Sequence, residues 1–236
     1  MVNRGFRRRR GRVCASLVAV GLLFGVVSSA QAEPRESADA TIVDSTGRAG
    51  RTVALTFDDG PDPRNTARML DVLGEHHVKA VFCLWGEHVR QHPGLVRRIV
   101  DDGHALCNHT MRHENMSTWT PAAIRQNLRA TNAAIHAAAP GAEVRYFRAP
   151  NGAWGDTPQV AAELGMQPLG WRLSVGDWNR PGADVLVRRL REGVSPGSVV
   201  LLHDGGGDRG QTVEAVSRFV PWARGAGWEF TLPARG

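Results

Sequence analysis

From residue 52 to the C-terminus, short apolar runs typical of strands alternate with segments that have a helical spacing of apolar residues. This alternation constrains the fold more than any other feature, because it is the pattern of a parallel sheet whose strands are joined by helices. The strand-like runs are residues 52–57, 79–84, 104–108, 144–148, 167–171, 199–202 and 228–232. The helical patterns are residues 66–77, 93–102, 121–138, 157–164, 183–191 and 212–223. We therefore expect an α/β fold with about seven parallel strands.

Ionisable residues follow several of these strand-like runs, and their distribution bears on the shape of the sheet. They come after residues 52–57, 104–108 and 199–202 and at the end of residues 144–148, rather than at one point of the sequence. An open doubly wound sheet binds its ligand in a single crevice, whereas a barrel uses the C-terminal ends of many strands. The pattern favours a barrel over an open sheet, with the functional site at the C-terminal ends of the strands.

The length and the charge of the chain limit the number of domains and the classes of partner that we expect. A chain of 236 residues can form one sizeable core, so one domain is the simplest organisation. The formal net charge is +6, but six of the 29 basic residues lie in residues 1–32, which contain no acidic residue. Beyond Ala32 the other basic residues are balanced by the 23 acidic ones. This balance gives no reason to expect nucleic acid as a partner.

Residues 1–32 have the pattern of a secretory signal peptide. An arginine-rich start precedes the apolar run 15–27, and small residues lead to a cleavage site of the A-x-A type at residues 30–32. The run is shorter than the roughly 20 residues that a membrane-spanning helix needs, and an uncleaved anchor is the alternative. We expect cleavage, no stable membrane anchor afterwards, and a secreted or cell-wall-associated protein. Residues 33–51 are polar and predict a flexible linker before the folded domain.

Cleavage of the signal would remove Cys14 and leave two cysteines, Cys83 and Cys107. Both lie near the ends of neighbouring predicted strands, and an exported protein folds in an oxidising compartment. A disulfide between them and a pair of buried free thiols are both compatible with the sequence.

Two adjacent carboxylates, Asp58 and Asp59, end the first strand-like run, directly before Gly60 and Pro61. Neighbouring side chains point in different directions where a strand ends. One carboxylate could therefore bind a metal ion while the other faces a bound water molecule. The alternative is a turn in which an Asp before Gly bonds to its own backbone.

A histidine pair, His109 and His113, follows another strand-like run. On a helical turn this spacing puts both imidazoles on one face, where they could share one metal ion. With Asp59 they would supply three ligands and leave an open coordination position, as in a catalytic metal site. The nitrogen ligands make zinc the first expectation, with iron, cobalt or nickel as alternatives.

Three further residues complete a set typical of metal-assisted hydrolysis, although each is a weak signal alone. His203 follows an apolar run and could be a general acid, with a hydrogen-bonded core histidine as the alternative. Asp177 is a candidate carboxylate to orient it, and Arg148 is a candidate partner for Asp58. We expect no role in the site for the other six histidines, which are His76, His77, His88, His92, His104 and His136.

Five short motifs, in this order, resemble those of the polysaccharide deacetylases of carbohydrate esterase family 4, the NodB-homology domain. They are Thr-Phe-Asp-Asp-Gly-Pro at 56–61, His-Thr-Met-Arg-His at 109–113, Arg-Ala-Pro-Asn at 148–151, Asp-Trp at 177–178 and Leu-Leu-His at 201–203. The resemblance extends over residues 53–232 and identifies residues 52–236 as a catalytic domain. It also implies a distorted, incomplete (β/α) barrel.

The resemblance implies catalytic roles for four residues and metal binding for three. The catalytic residues would be the base Asp58, the Arg148 that holds it, the acid His203 and the Asp177 that orients this acid. The ligands of one divalent metal ion would be Asp59, His109 and His113.

The resemblance also implies substrate-binding roles, at Asn151, Trp178 and Leu201, around the acetyl pocket.

Two positions depart from the family pattern. The third motif usually ends in an aromatic residue, where this chain has Asn151. In the family the backbone N–H of that residue helps to hold the oxyanion, so the change alters the pocket wall without removing the donor. The fourth motif usually has an earlier Asp, where this chain has Ser174, which leaves Asp177 as its carboxylate.

We therefore expect a secreted, metal-dependent hydrolase that removes N-acetyl groups, or alternatively O-acetyl groups, from a glycan. Chitin oligomers, peptidoglycan and acetylxylan are all candidate substrates, and a monomer is expected. One rival is a magnesium-dependent phosphotransferase with Asp58 as nucleophile, in which the histidine pair would have no task. Another is a carbohydrate-binding protein with a vestigial site, which would not need base, acid and ligands together.

Overall fold

The computed structural model of the protein describes residues 1–3, 5 and 39–236. Four residues of the predicted signal peptide are thus described, and the rest of it lies outside the described part. Residues 33–38 of the predicted linker also lie outside it. None of the described helices has both the length and the apolar character needed to cross a membrane.

One sheet of parallel strands organises residues 39–236. Its strands are β1 (Thr52–Gly60), β2 (Val81–Leu84), β3 (Ala105–Asn108), β4 (Val144–Phe147), β5 (Gln167–Pro168), β6 (Leu173–Ser174), β7 (Ser198–His203) and β8 (Glu229–Phe230). Seven of them lie in the order β5-β4-β3-β2-β1-β7-β6, and β8 pairs with the start of β1. Among the described residues β5 and β6 end the row without pairing to each other, so the barrel is incomplete. The predicted α/β class and the incomplete barrel of about seven parallel strands are confirmed.

Helices join most of these strands. In the described residues they are α1 (Asn65–Glu75), α2 (Gly86–Gln91), α3 (Pro93–Asp101), α4 (Pro121–Ala138), α5 (Thr157–Glu163), α6 (Ala183–Gly193) and α7 (Gly210–Gly225). The six helices that the sequence predicts are all present, and none of their ends shifts by more than two residues. Helix α2 is not predicted, because only Gly86 and Val89 of its six residues are buried, and these form no periodic apolar face.

Strand β1 is the central strand of the sheet. It lies between β2 and β7, and all nine of its residues are buried. The ring of Phe57 stacks on that of Phe82 in β2 with centroids 5.3 Å apart. Burying an apolar side chain of this size contributes roughly 1.5–3 kcal/mol. The packing therefore fixes the C-terminal end of β1, which carries Asp58 and Asp59.

A β-bulge at Asp59 separates the two carboxylates. Asp58 pairs with Cys83 of β2, whereas Gly60 pairs with the very next residue, Leu84, so Asp59 is the extra residue. Its φ of 73° lies in the left-handed region, which Asp tolerates better than most residues. The sequence predicts that the two side chains point in different directions, but with the bulge both reach the same place: Asp58 Oδ2 and Asp59 Oδ1 lie 3.6 and 3.5 Å from His109 Nε2.

Part of the predicted linker pairs with the sheet. Val43 forms a parallel bridge with Leu169, and Ser45 forms an antiparallel bridge with Ser198. The backbone of this segment is thus hydrogen-bonded to the domain, although its polar composition shows no strand pattern. Single bridges of this kind leave no apolar periodicity that a sequence could reveal.

The predicted strand at residues 167–171 is shorter in the structure, where β5 has two residues and β6 follows as a separate strand. The carbonyls of Leu169 and Gly170 accept hydrogen bonds from the Arg148 side chain instead. The last predicted strand, residues 228–232, is likewise reduced to the two residues of β8.

A disulfide joins Cys83 of β2 to Cys107 of β3. The two residues are paired in register, their Cα atoms are 4.2 Å apart, and both are fully buried. Of the two alternatives that the sequence leaves open, the structure has the disulfide. It links the strands two residues before Trp85 and His109.

Candidate metal-dependent active site

The C-terminal ends of four strands bring together residues that are far apart in the sequence. Asp58 and Asp59 lie at the end of β1, His109 follows β3, Arg148 follows β4, and His203 ends β7. Parallel strands present their C-terminal ends at one edge of a barrel. The site therefore lies where the sequence predicts it.

Arg148 holds Asp58 in a buried ion pair. Its Nη1 donates to Asp58 Oδ1 at 2.7 Å and to Thr56 Oγ1 at 2.9 Å. Its Nε and Nη2 donate to the carbonyls of Leu169 and Gly170 at 3.0 and 2.9 Å. The guanidinium is completely buried, and a buried charge is tolerated only with such partners. These bonds fix one oxygen of Asp58 and leave Oδ2 to the site.

Asp59, His109 and His113 form the metal-ligand group that the sequence predicts. Each offers one ligand atom, and these atoms all lie within 4.8 Å of one another. Asp59 Oδ1 is 3.5 Å from His109 Nε2 and 3.8 Å from His113 Nε2. Ligands about 2.1 Å from a tetrahedral ion are about 3.4 Å from each other. The three side chains therefore fit around a single divalent cation.

The protonation of His109 suits a metal ligand. Its Nδ1 donates to the carbonyl oxygen of Arg148 at 2.7 Å. Because a carbonyl only accepts, Nδ1 carries the proton and Nε2 keeps a lone pair for the ion. The backbone of Arg148 thus orients a ligand while its side chain holds Asp58.

The two histidines do not meet through a helical turn, and in this respect the sequence prediction is wrong. Residues 110–112 form a turn in which Thr110 has φ 68°, and His113 has φ 62°. The turn is held by Asn108, whose Oδ1 accepts from the Thr110 N–H at 2.9 Å. Left-handed residues, and not helical spacing, bring the imidazoles of His109 and His113 together, with ring centroids 5.1 Å apart.

His203 and Asp177 form a second buried pair at this edge of the sheet. His203 Nδ1 donates to Asp177 Oδ1 at 2.8 Å, and the His203 backbone N–H donates to Asp177 Oδ2 at 2.8 Å. The hydroxyl of Thr212 in α7 donates to the same Oδ2 at 3.0 Å. Asp177 is fully buried and its two oxygens are occupied. It therefore fixes the ring of His203 and leaves Nε2 free to transfer a proton.

The electrostatics of the site favour a positive charge between the acidic and imidazole groups. Burial opposes the charge of Asp59, but its hydrogen bond with His109 and the charges of the nearby histidines lower its pKa well below the usual range. Burial lowers the pKa of His109, and the carboxylates of Asp58 and Asp59 more than reverse this effect. For His203, burial lowers the pKa, but the bond to Asp177 raises it above its ordinary value.

Trp178 lies beside His203, and Leu201 precedes His203 by two residues in β7. Trp178 is 46% exposed, and its ring meets that of His203 edge-on with centroids 5.4 Å apart. Leu201 is buried in β7 and pairs with Ser174 of β6. Ser174 itself is exposed.

Asn151 lies in the short 3-10 turn Pro150–Gly152, three residues after Arg148. Its side chain is exposed and its φ is 58°. Asn is among the few residues that adopt this left-handed conformation readily. The departure from an aromatic residue is therefore compatible with the backbone of the turn.

Three residues near the candidate ligands are not predicted from the sequence. Trp85 Nε1 donates to Asp59 Oδ1 at 3.0 Å, and His88 Nδ1 donates to the Asp59 carbonyl at 2.9 Å. Asp204 is fully buried beside Gly60, and burial raises its pKa to about 7. The prediction that His88 lies outside the site is wrong. A usable signal was present, since Trp85 directly follows β2 at the same edge of the sheet.

The arrangement can bind a cation, accept a proton and donate a proton within one small volume. Asp58 Oδ2 lies 3.6 Å from His109 Nε2, so the base is next to the ligand group. The acid, His203, is close enough to this group for its charge to affect Asp59. A water molecule and a carbonyl compound bound between them would meet a base on one side and an acid on the other.

Comparison with known proteins identifies relatives over most of the chain. The polysaccharide deacetylase family profile matches residues 46–169. A chitooligosaccharide deacetylase from Rhizobium leguminosarum bv. trifolii is 39% identical over 203 residues, 80% of this chain and 94% of the relative. A peptidoglycan-N-acetylglucosamine deacetylase from Bacillus cereus is 33% identical over 183 residues, 76% of this chain and 85% of the relative.

Solved structures share the fold. A family 4 acetyl xylan esterase from Clostridium thermocellum, in complex with cobalt, is 34% identical with a TM-score of 0.69, over 77% of this chain and 87% of that one. A pseudoenzyme of carbohydrate esterase family 4 from Bacillus anthracis is 31% identical with a TM-score of 0.70, over 76% of this chain and 63% of that one. Because a pseudoenzyme has the same fold, activity depends on the residues of the site and not on the fold alone. Identity and coverage together show that this chain belongs to the polysaccharide deacetylase family, the family 4 carbohydrate esterases, which are metal-dependent hydrolases of acetyl groups.

Proposed function

We propose that this protein is a secreted, metal-dependent deacetylase that hydrolyses N-acetyl groups of an oligomeric or polymeric glycan. One observation carries the proposal: the Asp59, His109 and His113 group lies beside a base held by Arg148 and an acid held by Asp177. A protein that only bound carbohydrate would need none of these buried polar bonds.

The chemistry of the ligand group favours zinc among the possible ions. Two imidazole nitrogens and one carboxylate oxygen suit Zn²⁺, and cobalt, nickel and iron are compatible with the same set. When bound, such an ion supplies Lewis-acid activation of water and of the acetyl carbonyl. Three protein ligands leave at least one coordination position open for this purpose.

Two different side chains carry out the two proton transfers. Asp58 accepts a proton from the attacking water molecule while the water oxygen bonds to the acetyl carbon. The backbone N–H of Asn151 donates to the oxyanion that develops on the carbonyl oxygen. His203 gives its Nε2 proton to the sugar nitrogen as the C–N bond breaks, which releases acetate and a free amine. Asp177 keeps His203 oriented through both transfers.

The substrate class is supported by the relatives and by one exposed side chain. The relatives named above are called chitooligosaccharide and peptidoglycan-N-acetylglucosamine deacetylases, so we propose a glycan that contains N-acetylglucosamine. Trp178 is exposed next to His203 and offers an aromatic face to a sugar ring. O-deacetylation of xylan is the second candidate, because a similar structure is an acetyl xylan esterase.

The test is acetate release from chitin oligosaccharides, peptidoglycan glycans and acetylxylan. The protein is stripped with a chelator, assayed, and assayed again after addition of zinc, cobalt, nickel or iron. We expect activity on the first two substrates only with metal. Asp58→Asn, which preserves shape, should reduce turnover by roughly 10²–10⁴-fold while metal still binds. Glycan binding without acetate release by the zinc-saturated protein would refute the proposal and indicate a binding protein.

Export is supported by the signal-like residues 1–32 and by the Cys83–Cys107 disulfide. We expect the mature protein in the medium or the cell wall, as a monomer, with its N-terminus at Glu33. N-terminal sequencing of the protein from these fractions is the measurement. A full-length chain confined to the membrane fraction would contradict this part of the proposal.

A further inference from the structure

Residues 85–88, which are the residue after β2 and the first three residues of α2, contact both loops that carry the candidate metal ligands. The backbone N–H of Trp85 donates to the Gly60 carbonyl at 3.0 Å. The N–H groups of Gly86 and Glu87 donate to the carbonyls of Thr110 and Met111, also at 3.0 Å. The first N–H groups of a helix have no partner within the helix. Here they are used to fasten the Asp59 loop and the His109–His113 turn to the same short helix.

Two side chains of this segment reach Asp59 itself. Trp85 Nε1 donates to Asp59 Oδ1, and His88 Nδ1 donates to the Asp59 carbonyl. The rings of Trp85 and His88 are stacked, with centroids 4.4 Å apart. The ring of Trp85 also packs against that of His113, at 5.2 Å between centroids and 33° between planes.

Oδ1 is the Asp59 oxygen that the other ligands approach, at 3.5 Å from His109 Nε2 and 3.8 Å from His113 Nε2. A carboxylate oxygen can accept at two lone-pair positions. The indole N–H occupies one of them and leaves the other directed to the ion. Without the indole the carboxylate could rotate, and the ligand atom would lose its fixed position.

We propose that Trp85 is a positioning residue of the metal centre, which sets the Asp59 ligand oxygen through its N–H and supports His113 through its ring. This inference rests on the proposed metal dependence. Outer contacts of this kind change metal affinity by roughly 10–100-fold when they are removed. Indole is a donor without charge and does not titrate. Its contribution to affinity should therefore be the same at every pH at which the ligands are deprotonated.

The experiment measures the zinc dissociation constant of the full chain by competition with a chromogenic chelator. Trp85→Phe keeps an aromatic ring and removes only the N–H. We expect it to bind zinc roughly 10–100-fold more weakly than the wild type, by a factor that is constant between neutral and mildly alkaline pH. With cobalt in place of zinc, the visible absorption spectrum should change, and saturating metal should restore most of the activity.

Trp222→Phe is the matched control, because Trp222 packs against Phe219 in α7, away from the ligands. It should leave the zinc dissociation constant within about twofold of the wild type. His88→Ala keeps the indole and removes the contact to the Asp59 carbonyl, and it should weaken binding less than Trp85→Phe.

A Trp85→Phe protein that binds zinc as tightly as the wild type would overturn the inference while leaving the deacetylase proposal intact. A wild type that binds no zinc or related ion would instead overturn the proposed function. If the Trp85→Phe variant does not fold, the wild type can be tested by nuclear magnetic resonance instead. The indole N–H resonance of Trp85 should shift when zinc is added, and an unshifted resonance would contradict the positioning role.

Discussion

At the scale of single residues, Asp58 and Asp59 show how identical side chains receive different tasks. Asp58 is paired in the sheet and bonds to a buried guanidinium. Asp59 is the extra residue of a bulge and bonds to an indole. The first is positioned to take a proton, and the second is positioned with two histidines to hold an ion. Neighbouring backbone conformations, and not side-chain chemistry, make this difference.

Asp177→Asn should move the alkaline limb of the pH–rate profile to lower pH. The Asp177 carboxylate raises the pKa of His203, and a general acid works only while it is protonated. A neutral amide removes this effect, so the acid loses its proton at a lower pH. Turnover at the alkaline end should fall by roughly 10²–10⁴-fold. The measurement is kcat against pH with saturating zinc, and an alkaline limb that stays in place would contradict the role of Asp177.

The sequence predicted the residues of this site better than it predicted their supports. Asp58, Asp59, His109 and His203 follow strand-like runs, so the rule that parallel strands present one edge was enough to place them together. Trp85 directly follows β2 and carries the same signal, but an indole is usually a packing residue, so the sequence does not single it out.

At the scale of elements, the loop between β7 and α7 packs tightly against the end of β1. A Cβ atom on Gly205 would lie 2.0 Å from the Asp59 carbonyl oxygen, and one on Gly206 would lie 2.6 Å from Asp59 Oδ2. Such distances are impossible without movement of the Asp59 backbone or carboxylate. Glycine at these positions is therefore a condition for the geometry of the metal-ligand group.

Gly205→Ala should weaken zinc binding and reduce deacetylation by at least tenfold, a loss on the scale of a displaced metal ligand. The added methyl group must displace the backbone of Asp59, a ligand in the proposed centre. Gly74→Ala in α1 is the control, because a Cβ there meets nothing within 4 Å. That change should stabilise the protein by up to about 1 kcal/mol without affecting zinc. Equal zinc affinity in the two variants would show that the loop tolerates the clash.

The disulfide between β2 and β3 should contribute to the stability of the fold. It closes a loop across a sequence separation of 24 residues, for which the loss of chain entropy corresponds to roughly 2–4 kcal/mol. In a Cys83→Ala, Cys107→Ala double variant the free energy of unfolding should fall by that amount, measured as a lower midpoint in a denaturant titration. Thiol counting in denaturant without reductant should find neither residue free in the mature wild type. Two free thiols would contradict the disulfide.

Elements with a clear apolar period could be predicted, and those without one could not. The long helix α4 starts at Pro121 after the cap Thr120, as the sequence indicates, and Thr120 Oγ1 accepts from Ala123. The six-residue α2 and the two-residue β6 are too short to show a period. The spacing of His109 and His113 suggests a helical turn, because spacing alone does not reveal the left-handed φ of Thr110 and His113.

At the scale of the whole molecule, the candidate site joins strands from both halves of the sheet. Its ligands come from the ends of β1 and β3, and its acid comes from the end of β7. An ion bound there would cross-link segments that are distant in the sequence. Metal binding should therefore be coupled to the stability of the entire domain.

Zinc should raise the midpoint of thermal unfolding, and a chelator should lower it. An ion at about 1,000 times its dissociation constant stabilises the folded state by about 4 kcal/mol. Calorimetry of the chelated and zinc-saturated protein measures the shift. A His109→Ala, His113→Ala double variant is the control and should show no shift. An equal shift in that variant would place the bound zinc elsewhere.

The one-residue bulge at Asp59 has a consequence for recognising active relatives. The motif letters Asp-Asp-Gly-Pro record which residues are present, but the surplus residue in the ladder decides which carboxylate lies at which point. In a strand without the surplus residue, adjacent side chains would point to opposite faces of the sheet. A relative with the same letters but a regular ladder would therefore carry an intact signature without bringing both acids to the site. Strand register should therefore be checked, together with the motif, before activity is assigned to a relative of this chain.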